Sequence, residues 1–268
     1  MKFAANLSTM FSDLPTLQER YEYVCFKCPV KFDAIECQDP YMLAIKDWRR
    51  LFENCSVKGA KLPKWELINS VPLFLEFPDL RIPSFEEYRL KVLDKTLEYA
   101  KFLDCQKVHL ILGDLPFKSE NPDQITHLTE KMTTLLYQAA HYLELEHVNC
   151  VIEPLSLKER ERYYLRSYKL AVKILEQNTK SKNLRLLTDI YHLQRVEGNL
   201  TEAINKYMPL TGHVQISQVP LRDCPFNEGE INYRYVLEVL RKVHRGFIGL
   251  EYKCTTEDDL LWINNYTN

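Results

Sequence analysis

In CVIEPLS (Cys150–Ser156) an apolar run ends on Glu153, and a proline follows at once; in GFIGLEYK (Gly246–Lys253) a second apolar run ends on Glu251. Glutamate is a poor strand former and is seldom buried without a partner. Two carboxyls held at the ends of buried runs suit general acid–base chemistry or the binding of a cation. Other runs close in the same manner. LRLLTDI ends near Asp189, with His192 just beyond; GHVQISQV carries Gln215; FDAIEC carries Glu36. Carboxylates gathered at one point repel unless a cation sits among them. Brought together, Glu153, Asp189, Gln215 and Glu251 therefore predict a divalent metal. Their oxygen donors favour Mg²⁺ or Mn²⁺ over Zn²⁺. Glu36 also reads as a residue that only orients a neighbour, and His192 as a rim histidine with its own partners.

Something must position these residues at one place. Strand-like runs recur at Lys2–Leu7, Phe32–Cys37, Trp65–Ser70, Lys107–Gly113, His147–Leu155, Leu184–Ile190, Gly212–Val219 and Gly246–Tyr252. Most are continuous apolar runs, as in parallel strands covered on both faces. Between them lie amphipathic patterns. Leu90, Leu93, Leu97 and Ala100 make one face; Leu165, Tyr168, Val172 and Leu175 another; Tyr233, Val236, Leu237 and Leu240 a third. Strand followed by helix, about eight times, is the layout of an α/β (β/α)8 barrel, read here as a single domain over residues 1–268. A doubly wound open sheet normally has a Gly-rich loop after its first strand, and ANLSTMFSDLP has none. Barrels of this kind place their chemistry at the C-terminal ends of the strands. The residues closing the runs then share one mouth.

Composition narrows the classes. Thirty-five basic against 37 acidic residues give a formal charge of −2, with no basic stripe of the sort nucleic acid requires. No apolar stretch reaches the 18 or so residues of a membrane span. The N-terminal MKFAANLSTMF lacks a secretory apolar core and reads as a strand. The eight cysteines are expected as free thiols, because a chain of this size needs no disulfide staples, and CFKC (Cys25–Cys28) lacks a second ligand pair for zinc. A cytoplasmic protein is expected.

The segments FAANLS, FDAIECQDPY, YAKFLDCQKVHL, VIEPL, DIYHLQRVEGNLTEAI, GHVQISQVP, GEINYRYVLEVL and GFIGLEYK follow one another along nearly the whole chain. In that order they resemble the hydroxypyruvate isomerase family, a branch of the xylose-isomerase-like TIM barrels. The resemblance implies interconversion of hydroxypyruvate and 2-hydroxy-3-oxopropanoate (tartronate semialdehyde), within carbohydrate and glyoxylate metabolism. It places the family's metal ligands on Glu153, Asp189, Gln215 and Glu251. It places the family's two proton-transfer glutamates on Glu153 and Glu251. The implied substrate is a small hydroxy-carbonyl acid. His192 is then a candidate to hold a substrate oxygen, and Lys158 and Arg222 are candidates for its carboxylate.

The chain also departs from the family pattern. Where an asparagine and then an arginine usually follow the EP glutamate, it has Ser156 and Lys158; Lys31 replaces a glycine before FDA; and VPLFLEFPDL replaces a Gly-Asp loop after the third strand. These positions spare the ligands and fall on loops that shape a substrate pocket. A sugar epimerase on the same metal-dependent barrel, and a barrel that has lost catalysis and serves as a binding protein, remain open alternatives.

Overall fold

Eight strands form, each within one of the predicted runs or displaced from it by a residue: β1 (Lys2–Asn6), β2 (Ala34–Cys37), β3 (Lys64–Asn69), β4 (Lys107–His109), β5 (Asn149–Ile152), β6 (Leu184–Asp189), β7 (Thr211–Ile216) and β8 (Phe247–Leu250). The computed structural model describes residues 1–77, 82–114, 122–158, 160–177, 182–254 and 256–267. Every pairing is parallel and in chain order, and β1 pairs with β8, so the sheet closes into an eight-stranded barrel. Helices follow the strands and cover the outside, among them Leu17–Phe26, Ile45–Val57, Pro122–Leu145 and Tyr233–Val243.

The two faces of each strand have different tasks. One parity packs against the helices. Phe3 and Ala5, Ile35 and Cys37, Val214 and Ile216, and Ile248 and Leu250 join the main hydrophobic core. The other parity points into the barrel. There Leu67, Val151 and Leu187 form a small separate apolar cluster. Interior positions on other strands are polar and buried, including Asn6, Glu36, His213 and Gln215. Gly249 leaves room for Glu36, which reaches across the lumen: a Cβ there would collide with the Glu36 carboxyl group. A register shift pairs Ile35 with Trp65 but Glu36 with Leu67, which leaves Glu66 as an extra residue on β3.

The third helical pattern holds and the first two are corrected. Tyr233, Val236, Leu237 and Leu240 are all buried, whereas Leu90 is 58% exposed and Val92 takes its place inside. The cause is a π-helical turn over Arg89–Leu93, which adds a residue to the turn and rotates the apolar face. On the Tyr168–Gln177 helix the buried residues are Tyr168, Ala171 and Ile174, with Val172 and Leu175 half-buried beside them. β4 ends at His109, four residues before the predicted limit, because pairing stops although Leu110 and Leu112 remain buried. All eight cysteines are free. Among the described residues no helix is long and apolar enough to cross a membrane.

Candidate active site

A cavity of about 510 Å³ opens at the C-terminal end of the strands; its walls include Glu153, Gln215, Glu251, His192, His109 and Arg222. Each is delivered by a specific local structure. Glu153 is the first residue after β5, and Glu251 the first after β8. Asp189 ends β6 and caps the helix Ile190–Val196; its Oδ1 accepts from the Tyr191 amide at 2.9 Å, which leaves Oδ2 for the site. His192 sits on the first turn of that helix and is fully buried.

Arg222 comes from the loop after β7, and Gln218 ties that loop together. The buried Gln218 side chain donates to the carbonyls of Pro225, Asn227 and Ile231 and accepts from the amides of Val219 and Ile231. From this frame the Arg222 Nη2 donates to Glu251 Oε1 at 2.8 Å and to Asp189 Oδ2 at 3.2 Å. Its guanidinium also lies over the Tyr191 ring, 5.1 Å from the centroid. Gln38 Nε2 gives Glu251 Oε1 a second donor at 2.8 Å.

Burial dominates the electrostatics. It raises the Glu153 carboxyl well above its usual range, helped by the charges of Glu251 and Asp189. Burial likewise raises Asp189 to about 7, against the pull of Arg222. Glu251 is raised for the same reason. Burial keeps His192 neutral, and the Arg222 charge adds to the effect. His109 is pushed down to about 3 by burial. With both histidines neutral, three carboxyls against one guanidinium give the mouth a formal −2 when all three are ionised, as on binding a cation.

That charge and those atoms fit a divalent cation. Glu153 Oε1 and Gln215 Oε1 are buried and accept no hydrogen bond. Glu153, Asp189 and His192 bring one potential ligand atom each to within 4.8 Å of one another. The hydrogen bonds argue that His192 is not the third ligand. The Ser156 amide donates to His192 Nδ1 at 3.1 Å, so the proton of the neutral ring is on Nε2. Nε2 lies 3.9 Å from Glu153 Oε1 and 3.8 Å from Asp189 Oδ2, facing them as a donor. Glu153 and Asp189 thus offer carboxylate oxygens to a cation, and Gln215 and Glu251 line the same cavity.

Of the residues singled out from the sequence, the structure brings Glu153, Asp189, Gln215, Glu251, His192 and Arg222 together. It does not bring Lys158, which is exposed and lines a neighbouring depression with Arg166 and Arg195. Arg160 faces the cavity instead, with its Nε 3.5 Å from Asp114 Oδ1. Sequence reasoning missed His109, whose Nε2 is buried without a hydrogen bond 3.8 Å from Glu153 Oε2. The rule of looking at strand ends finds it once β4 is ended correctly. The loop after β3 supplies Val71, Pro72 and Leu75 to the cavity wall, while residues 78–81 within it lie outside the described residues.

A closed parallel barrel with acidic strand ends defines a class, and the matching family model is the xylose isomerase-like TIM barrel, over residues 32–266. The chain belongs to that family. The hydroxypyruvate isomerase of Escherichia coli is 30% identical over 273 residues, covering 99% of each chain. The 2-oxo-tetronate isomerase of Pectobacterium atrosepticum is 32% identical over 267 residues, 97% of this chain and 96% of its own. A crystal structure from Brucella melitensis, described as an AP endonuclease of family 2, is 28% identical with a TM-score of 0.83, covering 100% of this chain and 99% of its own. Within the barrel family this chain is an isomerase of the hydroxypyruvate isomerase family.

Proposed function

We propose that this chain interconverts hydroxypyruvate and 2-hydroxy-3-oxopropanoate by proton transfer between neighbouring carbons. The observation that carries the reading is the convergence of Glu153 and Glu251 on one buried cavity, beside Asp189 and Gln215. Moving a carbonyl by one carbon requires breaking the C–H bond next to it. One glutamate removes the proton from C3, the hydroxyl proton on O3 passes to O2 at the cis-enediolate stage, and the other glutamate returns a proton to C2, leaving an aldehyde at C3 and a hydroxyl at C2. Burial raises both carboxyls above their usual range, the direction that suits exchange of a proton with carbon. Glu153 is the freer of the two, because Glu251 Oε1 already accepts from Gln38 and Arg222.

Glu153, Asp189, Gln215 and Glu251 would hold a divalent metal, Mg²⁺ or Mn²⁺ from the oxygen donor set, which would supply positive charge for the substrate oxygens. His192 Nε2–H donates to a substrate oxygen, its tautomer set by the Ser156 amide. Arg222 and Arg160 face the substrate carboxylate from the wall. These two arginines favour an acid over the uncharged polyol of an epimerase. Two of the four proposed ligands, Glu153 and Asp189, belong to the group whose ligand atoms lie within 4.8 Å of one another.

A second reading concerns substrate length. The cavity of about 510 Å³ exceeds what a three-carbon acid fills, which favours a longer hydroxy-oxo acid handled by the same chemistry.

Proton NMR in D₂O with Mg²⁺ tests both. Isomerisation of hydroxypyruvate with deuterium appearing on carbon supports the first reading, and faster turnover of a four-carbon hydroxy-oxo acid supports the second. No exchange and no turnover of either acid refutes the proposal. Chelation is expected to abolish activity and added Mg²⁺ or Mn²⁺ to restore it.

A further inference from the structure

Below the proposed metal ligands a chain of buried hydrogen bonds runs down the barrel, and its donors and acceptors have one consistent direction. At the lower end the Lys107 ammonium lies 2.6 Å from Glu66 Oε1 and 3.3 Å from His213 Nδ1. An ammonium only donates, so Nδ1 accepts. His213 is fully buried, and its accepting Nδ1 carries no proton. Its single proton is therefore on Nε2, which donates to Glu36 Oε1. The other Glu36 oxygen, Oε2, accepts from Gln215 Nε2 at 2.8 Å and from Asn6 Nδ2 at 3.4 Å. A reversed Gln215 amide would set its carbonyl oxygen against a carboxylate oxygen. Gln215 Oε1 is thereby left towards the cavity, buried and without a hydrogen bond.

Of the four oxygen donors at the mouth, Gln215 alone has two unlike ends. A carboxylate presents oxygen whichever way it turns; an amide presents oxygen or N–H. We propose that Glu36 is a positioning residue, backed by His213 and Lys107, that selects the oxygen end of Gln215 for the cavity and so makes it a cation ligand. This inference rests on the reading of the mouth as a divalent-cation site. It assigns work to residues more than one layer below the chemistry, as outer partners of metal ligands commonly have.

The test reads Mn²⁺ affinity by calorimetry without substrate, on folded protein. In Glu36→Gln the new amide accepts from His213 and turns its NH₂ towards Gln215, which must reverse and point N–H at the cavity. The expected result is an Mn²⁺ dissociation constant raised by roughly 10- to 100-fold. Adding Gln215→Glu supplies a carboxylate with no wrong end, and the double variant is expected to regain most of that loss. Gln215→Glu alone sets two carboxylates face to face, so its Tm should fall below that of the double variant. The last comparison holds even if Glu36→Gln does not fold. Unchanged Mn²⁺ affinity in Glu36→Gln, or a Gln215→Glu single variant as stable as the double, overturns the proposal alone. No Mn²⁺ uptake by the unaltered chain overturns it together with the metal site itself.

Discussion

Arg222 Nη2 donates to Glu251 Oε1 at 2.8 Å, placing a guanidinium directly against one of the two glutamates assigned to proton transfer. The same nitrogen also reaches Asp189 Oδ2 at 3.2 Å. Arg222 thus opposes the burial that raises both carboxyls. Replacing it with methionine removes that opposition, so both carboxyls become harder to ionise. The acid limb of kcat/KM against pH should move upward by about one unit or more. KM for hydroxypyruvate should rise as well, since a cation facing the substrate carboxylate is gone. An acid limb that stays in place would remove Arg222 from this role.

Glu153→Gln and Glu251→Gln keep shape and remove the titrating group. Each is expected to lower kcat on hydroxypyruvate at least ~100-fold, the usual scale of a general acid or base. Circular dichroism should show both variants folded. Near-normal turnover in either one would sink the two-glutamate scheme.

His192 is assigned as a donor to substrate because the Ser156 amide occupies its Nδ1. His192→Ala should therefore lower kcat/KM by about tenfold or more while Mn²⁺ affinity changes little, a loss of the order expected for a hydrogen bond to a charged group. A metal ligand would behave oppositely, with affinity falling first. Parallel titrations of Mn²⁺ binding and turnover separate the two.

In metal-free protein, buried carboxyls and buried histidines act on stability with opposite signs. Asp189 at about 7 holds a proton that an unfolded chain, with a value near 4, would release. Its contribution is full below about pH 4 and lost as pH rises through that folded value. His109 at about 3 contributes stability that is present above about pH 6.5 and lost on acidification. Above about pH 6.5 the His109 effect is complete, so ionisation of Asp189 should lower Tm in chelator from there to about pH 8. Saturating Mg²⁺ should flatten the fall, since binding stabilises the folded form. A Tm that rises across this interval with chelator present would contradict the assignment.

The barrel and the mouth residues are legible in the sequence for a simple reason. Repeated apolar runs separated by amphipathic segments admit few layouts, and each run carries its polar residue at its own end. Glu153, Asp189, Gln215 and Glu251 are each visible that way, with no knowledge of one another. Local signals failed where pairing or packing decides. β4 stops at His109 although the sequence stays apolar beyond it, so His109 was hidden. Leu90 lost its buried place to Val92 through a π-helical turn. Lys158 and Arg160 sit two residues apart on one loop, yet only Arg160 faces the cavity.

What the sequence by itself determined is which residue types close which strands, and hence the class of chemistry. The tertiary structure alone decided who meets whom. Glu36 and His213 are 177 residues apart in the chain and touch only because the barrel closes on itself. Hydrogen-bond direction is a property of such neighbours, not of any segment. It fixes the tautomers of His192 and His213 and, through Glu36, the end of Gln215 that faces the cavity.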